Sequence, residues 1–132
     1  MTPKVISLVI DGTSGNPELE YRLAQVFQEY LTLWKKKQQK YGPHNISAMG
    51  KPGLVVRMHD KYQRLNRFVF GQTYSTQEGE EGEEDAWLDM LGYSAMGVML
   101  HRGWWPDYTP GGVTLKQILW LVKTWLGGRH GR

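Results

Sequence analysis

The feature that most restricts the fold of this chain is the segment at positions 82–100, GEEDAWLDMLGYSAMGVML. Its first half is acidic and its second half is almost wholly apolar. From Trp87 onwards, apolar residues fall on most sides of a helix, which is typical of a central helix covered by its neighbours. Glu81, Asp85 and Asp89 are spaced by four residues, so one face of the helix presents all three carboxylates. The segment therefore predicts a helix that carries charge into the core.

Three other segments have helical periodicity. The first, at 17–41, starts with a good N-cap residue, Asn16, and a proline suited to the first helical position, and Gly42 ends it. The second, at 54–70, has an apolar stripe on one face. The third, at 115–126, starts with a capping box formed by Thr114 and Gln117 and is expected to end at Gly127 and Gly128.

The connecting segments complete the expected architecture. The glycines and prolines of 43–53 predict a loop, and the β-branched segment KVISLVI predicts a short strand or an extended arm. We therefore expect an all-α four-helix bundle with a short N-terminal extended segment. The whole of 1–132 is expected to form one domain, in which 127–132 is a flexible tail.

Composition excludes several functional classes. The 132 residues are 40% hydrophobic, enough for the core of one ordinary domain, and the absence of cysteine excludes a thiol nucleophile and thiolate metal ligands. A net charge of +3 is too weak to indicate a nucleic-acid partner. KVISLVI is too short to span a membrane and lacks a cleavage site for secretion. We expect a soluble cytoplasmic protein.

The buried carboxylates require a partner. An ionised carboxylate inside a protein costs several kcal/mol unless it is paired or bound to a metal. One candidate is Mg²⁺, which takes carboxylate oxygens and keeps coordination sites for phosphate. The other is the basic cluster of the second helix, Arg57, Lys61 and Arg64. A site that combines both would bind a metal–polyphosphate, with carboxylates on the metal and cations on the phosphates.

Simpler interpretations stand beside this one. A salt bridge from Asp89 to Arg57 or Arg64 would satisfy the buried charge without any ligand. Asp60 is as well placed for a surface pair with Arg64, four residues on, as for a metal. The other glutamates of EGEEGEED are typical of a solvated acidic loop.

Three blocks of the sequence resemble a known family. They are KYGPHNI at 40–46, GLVVRMHDKYQRL at 53–65 and EGEEDAWLDMLGY at 81–93. In this order and spacing they resemble the MazG-like proteins of the all-α nucleoside triphosphate pyrophosphatase superfamily. The chain is most similar to the short phage MazZ-type branch. That branch hydrolyses dGTP or GTP to the monophosphate and pyrophosphate and supplies the synthesis of 2-aminoadenine nucleotides for modified phage DNA.

The resemblance implies a homo-oligomer, a dimer or a tetramer, with Mg²⁺ or Mn²⁺ bound by acidic residues of two neighbouring helices. The typical MazG pattern is ExxE on one helix and ExxD on the next. Here Arg57 and Asp60 stand where the first acidic pair is expected, so only Asp60 is a ligand candidate there. On the third helix the spacing is ExxxDxxxD, and Gly82 stands three residues before Asp85. Glu84 is the substitute if Glu81 faces away.

The resemblance implies a role for residues in each of the three blocks. The metal ligands are expected to be Asp85, Asp89, Glu81 and Asp60, of which the first three also form the catalytic set. The phosphate-binding residues are expected to be Lys61, Arg64, Arg57 and Lys40. The base-binding residues are expected to be Tyr41, His44 and Asn45, with the aromatic ring stacking and the other two donating or accepting hydrogen bonds at a purine edge. The preference for guanine follows from the resemblance alone.

A non-catalytic helical module is the alternative from a different class. In that interpretation the acidic face pairs with the basic helix or with a partner protein. A nucleic-acid-binding variant would use Arg57, Lys61, Arg64 and the basic C-terminal tail. The low net charge and the acidic helix face both argue against nucleic acid.

Overall fold

The computed structural model describes residues 2–71, 81–108 and 115–130, and in the last range the side chains of 118–127. Every regular element in these residues is helical, which confirms the all-α class. The described residues contain no strand, so the segment before the first helix makes no β pairing with them. The helices, in chain order, are α1 (Pro17–Tyr41), α2 (His44–Ser47), α3 (Gly50–Val69), α4 (Glu83–His101) and α5 (Leu115–His130).

The chain forms two compact units, Met1–Gln39 and Lys40–Arg132. In the first unit, Glu20 holds the turn that leads into α1. Its carboxylate accepts hydrogen bonds from the backbone N–H groups of Gly12 (2.8 Å) and Ser14 (2.9 Å). The side chain of Asn16 accepts a hydrogen bond from Leu19 N at 3.1 Å, so the predicted N-cap of α1 is confirmed.

Helix α1 ends where the sequence predicts. Gly42 follows it with φ of 73°, the left-handed conformation that glycine adopts without steric cost. No residue of α1 is buried, and apolar side chains such as Leu19, Leu23 and Phe27 remain exposed. The apolar periodicity therefore identified the helix without indicating burial.

The segment 43–53 is not a loop, contrary to the prediction. It contains the single turn of α2 and the first residues of α3. Pro52 lies in the first turn of α3, where a helix does not need the backbone N–H that proline lacks. The prolines and glycines in this segment are therefore compatible with helix starts.

The core of the second unit lies mainly between α3 and α4, and α3 also contacts α2 and α5. Trp105, in the segment after α4, is 4% exposed and donates its indole N–H to Pro43 O at 3.0 Å. This bond ties the end of α4 to the start of α2. The buried apolar side chains of the described residues are Ile46, Leu54, Leu65, Ala86, Met96, Leu100, Trp105 and Leu121.

Helix α5 runs further than expected. It continues through Gly127 and Gly128 to His130 instead of ending at the two glycines. A glycine inside a helix costs only about 1 kcal/mol relative to alanine, which neighbouring helical hydrogen bonds can outweigh. Thr114 and the side chain of Gln117 lie outside the described residues. Among the described helices, none combines the length and apolarity needed to cross a bilayer.

Candidate functional site

Four charged side chains converge where α3 passes the start of α4. Lys61 Nζ lies 2.6 Å from Glu81 Oε2 and 2.9 Å from Asp89 Oδ2. Arg64, three residues further along α3, pairs with the same oxygen of Glu81. We call Lys61, Arg64, Glu81 and Asp89 the charge cluster. Two carboxylates and two cations balance in formal charge.

The charge cluster is largely withdrawn from solvent. The side chains of Lys61 and Asp89 are each 13% exposed, that of Glu81 is 19% exposed and that of Arg64 is 31% exposed. At this depth an unpaired charge would cost several kcal/mol, so the pairing explains why an acidic segment enters the core. Lys61 is a partner of Asp89, and the sequence had suggested Arg57 or Arg64 for that role.

Burial shifts the protonation equilibria of the cluster. It raises the pKa of Glu81 above its ordinary value, and the neighbouring Asp89 adds to this effect while Lys61 opposes it. Burial alone would lower the pKa of Lys61. The hydrogen bonds to Glu81 and Asp89 outweigh burial, so the pKa of Lys61 is raised.

The other two predicted ligands, Asp85 and Asp60, lie on α4 and α3. Asp85 is exposed and accepts a hydrogen bond from Gly82 N at 3.2 Å, which caps the start of α4. Asp60 is half-buried on α3. Over residues 2–71 and 81–108 and the described part of α5, no three His, Asp or Glu side chains are close enough together to hold a metal ion. Glu81 and Asp89 come together at one cation, Lys61.

The donor chemistry of this pair fits Mg²⁺ or Mn²⁺. Both carboxylates already lie within hydrogen-bonding distance of one cationic group, the ammonium of Lys61. Mg²⁺ in nucleotide sites is commonly held by one or two carboxylates, with water and phosphate completing its coordination. Glu81 and Asp89 are thus the residues that would hold the ion.

Arg57 lies next to Asn45 and is not one of the four residues of the charge cluster. Its guanidinium lies 3.4 Å from Asn45 Oδ1 and 3.5 Å from Asn45 O. Arg57, Asn45 and His44 line a cavity of about 470 Å³, together with Trp120 and Trp125 of α5. The cavity brings together one predicted phosphate-binding residue and two predicted base-binding residues. We call it the tryptophan pocket.

The two tryptophans were not predicted from the sequence. They belong to a helix whose apolar residues predicted packing, and Trp120 is nevertheless 64% exposed at the cavity. The high tryptophan content, six residues in the chain, was the available signal. Within the described chain, the lining of the pocket does not include Lys40 or Tyr41. Lys40 instead places its ammonium 5.1 Å from the centroid of the Tyr41 ring.

The tryptophan pocket and the charge cluster lie along one face of α3. Arg57, Lys61 and Arg64 are separated by four and three residues, so they form a single row on the helix. With a rise of about 1.5 Å per residue, the row extends roughly 10 Å. A row of cations therefore leads from an aromatic cavity to a pair of carboxylates.

Comparison of the chain with protein-family profiles, with curated proteins and with solved structures found no match. The geometry above and the resemblance of the three sequence blocks are the grounds for the proposal that follows.

Proposed function

We propose that the protein is a metal-dependent nucleoside triphosphate pyrophosphohydrolase. Its substrate would be a nucleoside or deoxynucleoside triphosphate, with dGTP or GTP preferred, and its products the monophosphate and pyrophosphate. The observation that carries the proposal is the convergence of Glu81 and Asp89 beside the cations Lys61 and Arg64 in a largely buried cluster. Binding a metal–triphosphate requires both kinds of charge in one place.

Glu81 and Asp89 are the proposed ligands of Mg²⁺ or Mn²⁺. Asp85 and Asp60 remain candidates for further ligands on the grounds of the resemblance. A metal bound here would lower the pKa of a coordinated water and so supply a nucleophile at neutral pH.

The cations of α3 are proposed to hold the triphosphate. Lys61 and Arg64 would donate to phosphate oxygens in place of their present carboxylate partners. They would thereby stabilise the charge that develops as the bond between the α- and β-phosphates breaks. Arg57, nearer the tryptophan pocket, would contact the phosphate closest to the ribose, and Lys40 is a further candidate.

The base is proposed to bind in the tryptophan pocket. Its volume of about 470 Å³ is within the range of small-molecule sites, and Trp120 and Trp125 offer faces on which a purine can stack. His44 and Asn45 provide donors and acceptors for the purine edge. Tyr41 remains a second stacking candidate. The preference for guanine still derives from the family resemblance.

The cellular role follows from the same proposal. The protein would supply a phage pathway to 2-aminoadenine nucleotides in the host cytoplasm. It would act as a dimer or tetramer, as the resemblance implies.

One observation favours a second candidate function, a non-catalytic helical interaction module. The carboxylates and cations of the charge cluster already neutralise one another, as they would in a purely structural network. In this alternative the cluster fixes α3 against α4 and has no ligand.

A product-resolved assay separates the two functions. The purified protein is incubated with each common NTP and dNTP in Mg²⁺, Mn²⁺ or EDTA, and the products are separated by chromatography. Monophosphate and pyrophosphate formed only with metal support the pyrophosphohydrolase. A folded, metal-supplemented protein that turns over no nucleotide would support the interaction module.

A further inference from the structure

A second cavity lies between α3 and α4. Its lining includes Met58 and Tyr93, which stand about one helical turn from Lys61 and Asp89 of the charge cluster. The volume of the cavity is about 490 Å³, and Lys51 and His101 stand at one end of it. Lys51 is in the first turn of α3, ten residues before Lys61, so roughly 15 Å of helix separates the two lysines. No residue of the charge cluster or of the tryptophan pocket lines this cavity in the part of the chain that is described.

The walls of the cavity are mostly apolar, with Tyr93 and Ser94 of α4 as further lining residues. Leu54, Val55 and Met58 of α3 face Val98 of α4, and Gly97 leaves a gap in the wall where another residue would place a side chain. Val55 and Val98 are among the exposed large hydrophobic residues of the described chain. An apolar ligand would remove this surface from water, which favours binding.

The polar end of the cavity offers hydrogen-bond donors. Lys51 donates to His101 Nδ1 at 3.0 Å, so a neutral His101 ring carries its proton on the other nitrogen and remains a donor. Arg102 adds a guanidinium whose Cζ lies 4.6 Å from the centroid of the Trp104 ring, a cation–π contact that restricts the side chain. Among the described residues, no carboxylate lines the cavity or pairs with these three groups.

We propose that this cavity is a binding site for a small organic anion with one carboxylate at the end of an apolar body. Lys51, His101 and Arg102 would hold the carboxylate, and the α3 and α4 walls would cover the body. The proposal does not depend on the proposed hydrolysis of nucleotides.

Naphthoate is a suitable probe because it combines two fused apolar rings with one carboxylate. Its binding to the full chain is measured by isothermal titration calorimetry beside that of the uncharged naphthamide. We expect naphthoate to bind at least about tenfold more tightly, because charge-assisted hydrogen bonds are roughly twice as strong as neutral ones. Equal affinities for the acid and the amide would overturn the proposal and indicate an apolar contact surface.

A cavity-filling substitution tests the location. A Cβ at Gly97 would meet only Leu54 Cδ1, at an ordinary contact distance of 3.9 Å, so the side chain of Gly97→Leu begins at the cavity wall without a close contact at its Cβ. We expect Gly97→Leu to abolish naphthoate binding. The matched control is Gly127→Leu in α5, where a Cβ meets nothing within 4 Å, and binding should be unchanged. Retained binding in Gly97→Leu would overturn the proposed location.

Charge substitutions and competition complete the test. Lys51→Gln and Arg102→Gln should each weaken naphthoate binding about tenfold, whereas Lys123→Gln, on exposed α5 surface, should not. Circular dichroism melting curves establish that each variant is folded. Displacement of naphthoate by a nucleoside triphosphate would place the cavity within the substrate site and overturn the proposal that it is a separate site. Unaffected binding at saturating nucleotide supports the separate site.

Discussion

Lys61 of α3 and Asp89 of α4 form an ion pair of 2.9 Å in which each side chain is only 13% exposed. Glu81 contacts the same ammonium. A single lysine therefore pairs with one carboxylate just before α4 and with another inside α4. The pair therefore links the packing of two helices to the placement of the proposed metal ligands.

Removing the lysine should destabilise the fold. Lys61→Met leaves Glu81 and Asp89 without their shared cation, and breaking a buried pair in this way costs about 3–5 kcal/mol. We expect a loss in that range in urea-induced unfolding at neutral pH. Lys123→Met, at an exposed position, should change the free energy of unfolding by no more than about 0.5 kcal/mol. Equal effects of the two variants would show that the cluster does not stabilise the fold.

The stabilisation by Lys61 should disappear at high pH. Because the pKa of folded Lys61 is raised, its contribution is fully present below its ordinary value of 10.5 and is lost as the pH rises through the folded value. The difference in unfolding free energy between wild type and Lys61→Met should therefore shrink above about pH 10.5. Denaturation curves at a series of alkaline pH values measure it, and a difference that stays constant would contradict this prediction.

The adjacent tryptophans after α4 should differ sharply in importance. Trp105→Phe removes the indole N–H that donates to Pro43 O from a buried side chain. Pro43 O keeps its bonds from the backbone N–H groups of Ile46 and Ser47, so the loss should be that of one ordinary hydrogen bond, about 0.5–1.5 kcal/mol. Trp104, by contrast, is 63% exposed, and Trp104→Phe should have a small effect. Thermal unfolding of the two variants measures the contrast. Similar melting temperatures would contradict the proposed role of the Pro43 bond.

Two helical glycines should respond oppositely to alanine. A Cβ at Gly53 would lie 2.3 Å from Met49 Cβ, too close to be relieved by side-chain rotation, so Gly53→Ala should destabilise the protein. Gly97→Ala meets only an ordinary contact and should stabilise the helix by about 0.5–1 kcal/mol. Chemical denaturation of both variants provides the comparison, and stabilisation by Gly53→Ala would show that Gly53 and Met49 are not in this close contact.

The tryptophan pocket should contribute to nucleotide binding and not to the chemical step. If the base stacks on Trp120, Trp120→Ala should raise KM for the best nucleotide about tenfold or more and leave kcat nearly unchanged, since stacking on one aromatic ring contributes about 1–3 kcal/mol. Trp87→Ala removes an exposed tryptophan on α4 that does not line the pocket and serves as the control. Equal KM values for the two variants would remove the pocket from the proposed substrate site.

Local signals predicted much of the helical structure. Asn16 and Gly42 define the two ends of α1 through interactions within a few residues of each other, so the sequence alone was sufficient. The starts of α2 and α3 were missed because Pro52 and its neighbours are also common in loops. The end of α5 was missed because Gly127 and Gly128 do not interrupt the helix.

The charge cluster was predicted only in part. The sequence indicated that Asp89 would enter the core and that the basic residues of α3 were candidates to balance it. Which cation meets which carboxylate depends on the relative register of α3 and α4, and periodicity within one helix does not determine that register. The relative register of helices also decides which residues line a cavity, so the sequence did not predict that Trp120 and Asn45 line the same one.

The most direct test of the proposed function is the metal-dependent hydrolysis of dGTP by wild type and two matched variants. Asp89→Asn keeps the side-chain shape but removes a proposed metal-binding charge, whereas Glu84→Gln makes the same chemical change at an exposed position five residues earlier. The account predicts dGMP and pyrophosphate from wild type and from Glu84→Gln, and a folded Asp89→Asn protein with activity reduced at least about a hundredfold. Full activity in Asp89→Asn, or no turnover by wild type with any nucleotide and metal, would contradict it.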